Sequence, residues 1–209
     1  HVAVFGLGGV GSWCAEALAR MGVGEMTLVD TDTVSETNIN RQACALSSTV
    51  GHYKADIMAD RIRDINPDII LHIMSKLYNA ENRDKFFSLK FSCVVDAIDL
   101  VACKLDLIET CINRGIPIVT SLGTGNKLDA SRFVITDITK TQNCPFARVI
   151  RKELRARGIE HLTVVFSDEE ATTPKLIEVP PPGRRSVPGS LVYVTGSAGF
   201  LLAQAAIDK

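Results

Sequence analysis

Apolar runs of four to six residues alternate with amphipathic stretches over the first 121 residues. The runs at 2–5, 26–29, 69–74, 93–96 and 117–121 are short and bounded by polar or glycine-containing segments, as strands covered on both faces are. Between them, apolar positions recur at helical spacing over 11–21, 54–65, 80–88 and 101–114. Asn66-Pro67 stops the second of these helices, because the residue before proline avoids helical dihedrals. Gly115, followed by Pro117, stops the last. Alternation of this kind predicts an α/β fold: a Rossmann-like, doubly wound, mostly parallel sheet with right-handed crossovers.

The texture changes after residue 121. Ser121 to Asn126 reads as a loop, Arg132 to Asp137 alternates like an antiparallel strand, Cys144 to Arg157 reads as a helix, and Leu162 to Phe166 as a strand. Residues 167–190 hold most of the eight prolines and predict a mobile crossing segment or lid. A helix over 196–207 then packs back on the sheet. The expected organisation is one domain over 1–209, with a nucleotide-binding core at 1–126 and a mixed, substrate-side extension at 127–209. No internal repeat is visible.

In a parallel sheet of this kind, ligands sit at the carboxyl ends of the strands. Gly6, Asp30, Asp96, Asp99 and Ser121 all fall there. Gly6, Gly8 and Gly11 form G-x-G-x-x-G directly after the first strand and open the first helix, with Gly9 inside the loop. The first glycine makes the turn, the second admits phosphate to the backbone, and the third lets helix pack on strand. The helix amino end offers free N–H groups to an anion. Asp30 closes the second strand nineteen residues after Gly11, where a ribose-binding carboxylate belongs. The motif alone points to NAD, and Asp30 is better read as the ribose carboxylate than as a mere helix cap.

The next residues change that picture. Asp30-Thr-Asp32-Thr-Val-Ser-Glu-Thr-Asn38-Ile-Asn40-Arg41-Gln42 is a polar loop, and Lys54 opens the following helix. A dehydrogenase needs one carboxylate here. Two carboxylates beside an arginine and a lysine suit ATP and its Mg2+ better, because cations neutralise a departing pyrophosphate and carboxylates hold the metal.

The four blocks GLGGVGS, LVDTDTVSETNINRQ, VGHYKA and VVDAID, in this order, resemble the ubiquitin-activating-like superfamily of adenylating enzymes. Within it the chain is most similar to the tRNA threonylcarbamoyladenosine dehydratases. The resemblance implies that Asp30 takes the ATP ribose, and that Asn38, Arg41 and Lys54 hold the phosphates and the leaving pyrophosphate. Gln42 would orient Arg41. Asp99 would carry Mg2+, with Asp96 as its competitor or as a brace for the loop. Asp32 would touch the metal or support Asp30. Arg41, Lys54 and Asp99 would thus be the catalytic groups. It further implies a substrate carboxylate that is adenylated, a tRNA substrate modified near its anticodon, and a homodimer. The sulfur-carrier activators of the superfamily carry two C-x-x-C pairs for zinc, and this chain has none. Activation of a ubiquitin-like or sulfur-carrier protein and NAD-dependent oxidoreduction remain the rival readings.

Net charge is −1, so any RNA contact must be local. Arg148, Arg151, Lys152 and Arg155 would share one helical face and suit an RNA backbone, or simply water. The six scattered cysteines read as reduced thiols and a cytoplasmic setting. Cys144, opening a helix, is the candidate if a carrier-activating thiol exists. His52, His72 and His161 read as structural, the last two in strands. Trp13 would pack on the sheet or on a second subunit. No apolar run approaches the roughly 18 residues of a membrane span. Gly196 to Ile207 is apolar enough to lie on a membrane or partner, although its length suits a core helix.

Overall fold

In the computed structural model, which describes residues 1–173 and 188–209, β1 (Val2–Phe5) is fully buried near the middle of a seven-stranded sheet. Its neighbours are β2 (Glu25–Val29) on one side and β4 (Cys93–Asp96) on the other, both parallel to it. β3 (Ile70–Met74) forms the edge beyond β2. Beyond β4 come β5 (Ile118–Ser121), β7 (Thr163–Ser167) and β6 (Phe133–Asp137), giving the order β3-β2-β1-β4-β5-β7-β6. Among the described strand pairs of this sheet, β6–β7 alone is antiparallel. The sheet therefore runs unbroken through residue 126, because β7 pairs directly with β5.

Two apolar layers sandwich the sheet. One face of β1 and β2 (Val2, Val4, Met26, Leu28) packs on α1 (Gly11–Arg20), α2 (Lys54–Ile65) and α6 (Val192–Ile207). The other face (Ala3, Phe5, Val29) packs on α3 (Arg83–Phe86), α4 (Val101–Asn113) and α5 (Pro145–Ala156). α1 is joined to α2 by the buried Glu16, which accepts hydrogen bonds from Arg61 and Arg20.

Three elements differ from the sequence expectation. The helix expected over 80–88 shrinks to one turn at Arg83–Phe86. Asn79 explains this: its Oδ1 accepts the N–H groups of Glu81 and Asn82, offering the backbone a turn in place of a helix. α6 begins at Val192, four residues before the expected start, with exposed apolar side chains at Val192 and Tyr193 that carry no period. His161 precedes β7, exposed beside Asp137. Residues 174–187 of the crossing segment expected over 167–190 lie outside the described residues. Trp13 packs on α6, its ring against Gly196 and edge-on to Phe200. No described helix is long and apolar enough to cross a membrane.

Candidate active site

The carboxyl ends of β1, β2 and β4 converge on the glycine loop. Gly6 adopts φ +88°, and a Cβ there would lie 2.7 Å from the Ala97 carbonyl oxygen. A Cβ on Gly11 would lie 1.8 Å from the Gly6 carbonyl oxygen, so the helix can start this close only without a side chain. Among the described residues, nothing in the fold accepts the backbone N–H of Gly8, Gly9, Val10 or Gly11. α1 also lacks a capping side chain. An open helix start of this kind is the arrangement that takes phosphate.

Asp30 fixes the loop from below. Its carboxylate accepts the Leu7 N–H at 2.6 Å and the Asp32 N–H at 2.8 Å. Burial raises its pKa, while those N–H groups and the charge of Lys54 pull it back. Lys54 is buried at the amino end of α2, where the helix dipole disfavours a cation. Asp32 offsets this with a 2.9 Å ion pair. The exposed side of Asp32 leaves that pair in reach of solvent and of a ligand.

Arg41 lies across the loop. A Cβ on Gly9 would meet Arg41 Cγ at 3.2 Å and Thr195 Cβ of α6 at 3.3 Å. The Trp13 indole N–H donates to the Arg41 carbonyl at 2.9 Å and fixes its backbone. Its guanidinium donates to the Thr37 carbonyl and to Asn40 Oδ1, both at 2.9 Å, and burial lowers its pKa. Asn38 is half-buried and accepts the Ser35 N–H through Oδ1, which caps the turn leading to Arg41. Gln42 is buried, with Nε2 3.9 Å from the Cβ position of Gly8. Its Oε1 receives the Cys44 thiol, whose pKa burial pushes up to about 11.

Of the two carboxylates on the β4 loop, Asp96 is committed to the fold. It is fully buried, accepts Lys104 Nζ at 2.7 Å and the Ile98 N–H at 3.1 Å, and so braces the loop. Burial pushes Asp96 up and Lys104 down, and their attraction draws each back. Asp99 is exposed and acts electrostatically on Lys104. For Mg2+, which keeps most of its waters and takes one or two carboxylates, Asp99 is the fitting residue and Asp96 is not.

Sequence reasoning missed Lys104 and Thr195. Lys104 was signalled by its place in the stripe Lys104, Leu107, Ile108, Cys111, where a cation interrupts an otherwise buried face. Thr195 had no signal, since only tertiary packing brings it to Gly9. The basic face of α5 is smaller than expected. Arg151 turns in to the Thr141 carbonyl at 2.7 Å, which leaves Arg148, Lys152 and Arg155 exposed. Cys144 is buried, its sulfur accepting the Ala147 N–H.

The ThiF family profile matches residues 1–208. The chain belongs to the ThiF family. A ThiF relative named tRNA threonylcarbamoyladenosine dehydratase, from Bacillus subtilis, is 48% identical over 169 residues, which span 80% of this chain and 66% of that protein. The crystal structure of the Escherichia coli tRNA N6-threonylcarbamoyladenosine dehydratase in complex with ATP superposes with a TM-score of 0.89 at 38% identity, covering 100% of this chain and 84% of the other. The molybdopterin-synthase adenylyltransferase of E. coli is 34% identical over 136 residues, 65% of this chain and 53% of its own length.

Proposed function

We propose that this ThiF-family chain is an ATP-dependent tRNA threonylcarbamoyladenosine dehydratase. The observation that carries the adenylating chemistry is the open glycine loop held by Asp30 and flanked by Lys54 and Arg41. Ribose hydroxyls donate to Asp30, and the phosphates occupy the unpaired N–H groups of the loop. The threonyl carboxylate of the modified adenosine attacks the α-phosphate, and the bond to pyrophosphate breaks. Arg41 and Lys54 stabilise the charge on that leaving group, with no side-chain nucleophile required. A nitrogen of the same threonylcarbamoyl group then attacks the acyl carbon and expels AMP, which closes the ring. The net change is loss of one water, driven by ATP.

Asp99 would hold Mg2+, which neutralises phosphate charge when bound. Arg148, Lys152 and Arg155 offer an exposed cationic stripe to the tRNA backbone. A homodimer is proposed by the same family logic and is read by light scattering. The deciding experiment is incubation of tRNA carrying the open threonylcarbamoyl group with protein and ATP. The cyclic nucleoside and AMP are expected in equal amounts. An unchanged nucleoside, with pyrophosphate exchange dependent on a carrier ending in Gly-Gly, overturns the dehydratase reading and favours a carrier activator.

A further inference from the structure

The amino ends of the strands carry a second constellation. His1 precedes β1, Glu25 opens β2, and His72 lies on β3 opposite Thr27. One ligating atom from each of His1, Glu25 and His72 lies within 4.8 Å of the other two. Glu25 Oε1 is 3.3 Å from His1 Nδ1 and 2.8 Å from His72 Nε2. The length of β1 separates this group from the glycine loop, so nothing in the adenylation chemistry uses it.

We propose that His1, Glu25 and His72 form a binding site for one Zn2+ ion. Tetrahedral zinc, with nitrogen and oxygen ligands at about 2.0–2.2 Å, spaces its donors roughly 3.3 Å apart, close to the two spacings from Glu25 and inside the 4.8 Å that bounds all three atoms. The His1 ring is fixed from behind, because its Nε2 is 2.8 Å from Oγ1 of the fully buried Thr27. Zinc would select the tautomer in which Nε2–H donates to that hydroxyl and Nδ1 turns its lone pair to the ion. Phe91 stands edge-on to His1 with centroids 5.0 Å apart and closes one wall. Glu25 and His72 are half-exposed, which leaves a fourth position open to water. Two imidazoles and one carboxylate suit zinc, whereas Mg2+ and Ca2+ favour all-oxygen sets. The six cysteines are all buried, so no surface thiol competes. Bound there, the ion ties the edge strand β3 to β2 and β1 and acts as a structural staple.

The test uses chelator-stripped full chain, titrated calorimetrically with Zn2+. Wild type is expected to bind one ion and to melt at higher temperature with zinc than without. Glu25→Gln and His72→Gln, both at half-exposed positions, are expected to lose at least about tenfold in affinity, as metal-site substitutions do, and to lose the zinc-dependent melting shift. Absence of binding by wild type, or wild-type affinity in either variant, overturns the site. Co2+ in wild type provides a readout independent of variant folding. Visible bands without thiolate charge transfer support the nitrogen and oxygen set, and thiolate bands overturn it.

Discussion

Arg41 and Lys104 are both cations near the nucleotide loop, but they do opposite work. Among the described residues the Arg41 guanidinium donates to the Thr37 carbonyl and Asn40 Oδ1, neutral acceptors that it can exchange for phosphate. Arg41→Ala is expected to slow adenylation about 10²–10³-fold, as loss of one stabilising donor does. ATP affinity should fall by less than about tenfold. Pyrophosphate exchange measures the first and calorimetry the second. Equal losses would make Arg41 a ground-state contact. Lys104 is sealed against Asp96 and the Ser121 carbonyl. Lys104→Ala should cost about 3–5 kcal/mol in denaturant unfolding, because it leaves a buried carboxylate without its partner. Lys104→Met combined with Asp96→Leu should cost less than the single change. Arg41 was legible from its loop of polar residues. Lys104 was hidden because a lysine in a helix is ordinarily an exposed one.

Helices α1 and α2 are latched by Glu16, whose carboxylate lies 2.5 Å from Arg61 Nε. Burial raises the Glu16 pKa, but the hydrogen bonds from Arg61 and Arg20 outweigh it and hold the group below its usual range. A depressed carboxylate adds stability that is complete above its unfolded value, about 4.3, and is lost as pH falls through the folded value. Glu16→Gln should therefore be less stable than wild type by about 1–2 kcal/mol near pH 7. The gap should close in acid, as thermal melts at a series of pH values would read. The elements themselves were mostly legible: β1, β2, β4 and β5 announced themselves as short, mostly apolar runs buried on both faces, whereas the edge strand β3 was legible as an apolar run although Ile70 and Ile73 are exposed. α3 is shorter than its apolar spacing implies, since side-chain competition at Asn79 leaves that spacing intact. The insertion of β7 between β5 and β6 was not legible, because hydrogen-bond partners across a sheet leave no local mark.

At the scale of the molecule, α6 crosses back from the far end of the chain to cover α1 at the site. A Cβ on Gly199 would lie 2.6 Å from the Val10 carbonyl oxygen and 2.9 Å from Trp13 Cβ. Gly199→Val should force the two helices apart, at a cost of about 1–3 kcal/mol. Because Val10 belongs to the glycine loop, ATP affinity should drop with melting temperature. Loss of stability at unchanged affinity would uncouple α6 from the loop. The convergence of strand ends on one loop could be read from residues 1 to 100, but its completion by α6 could not. Thr195 therefore has a temporal meaning as well as a spatial one. A ribosome releases the phosphate loop early and its covering helix more than 170 residues later. Until that helix emerges, the nascent chain carries an unroofed α1, and nucleotide capture is expected to follow the synthesis of residues 192–207.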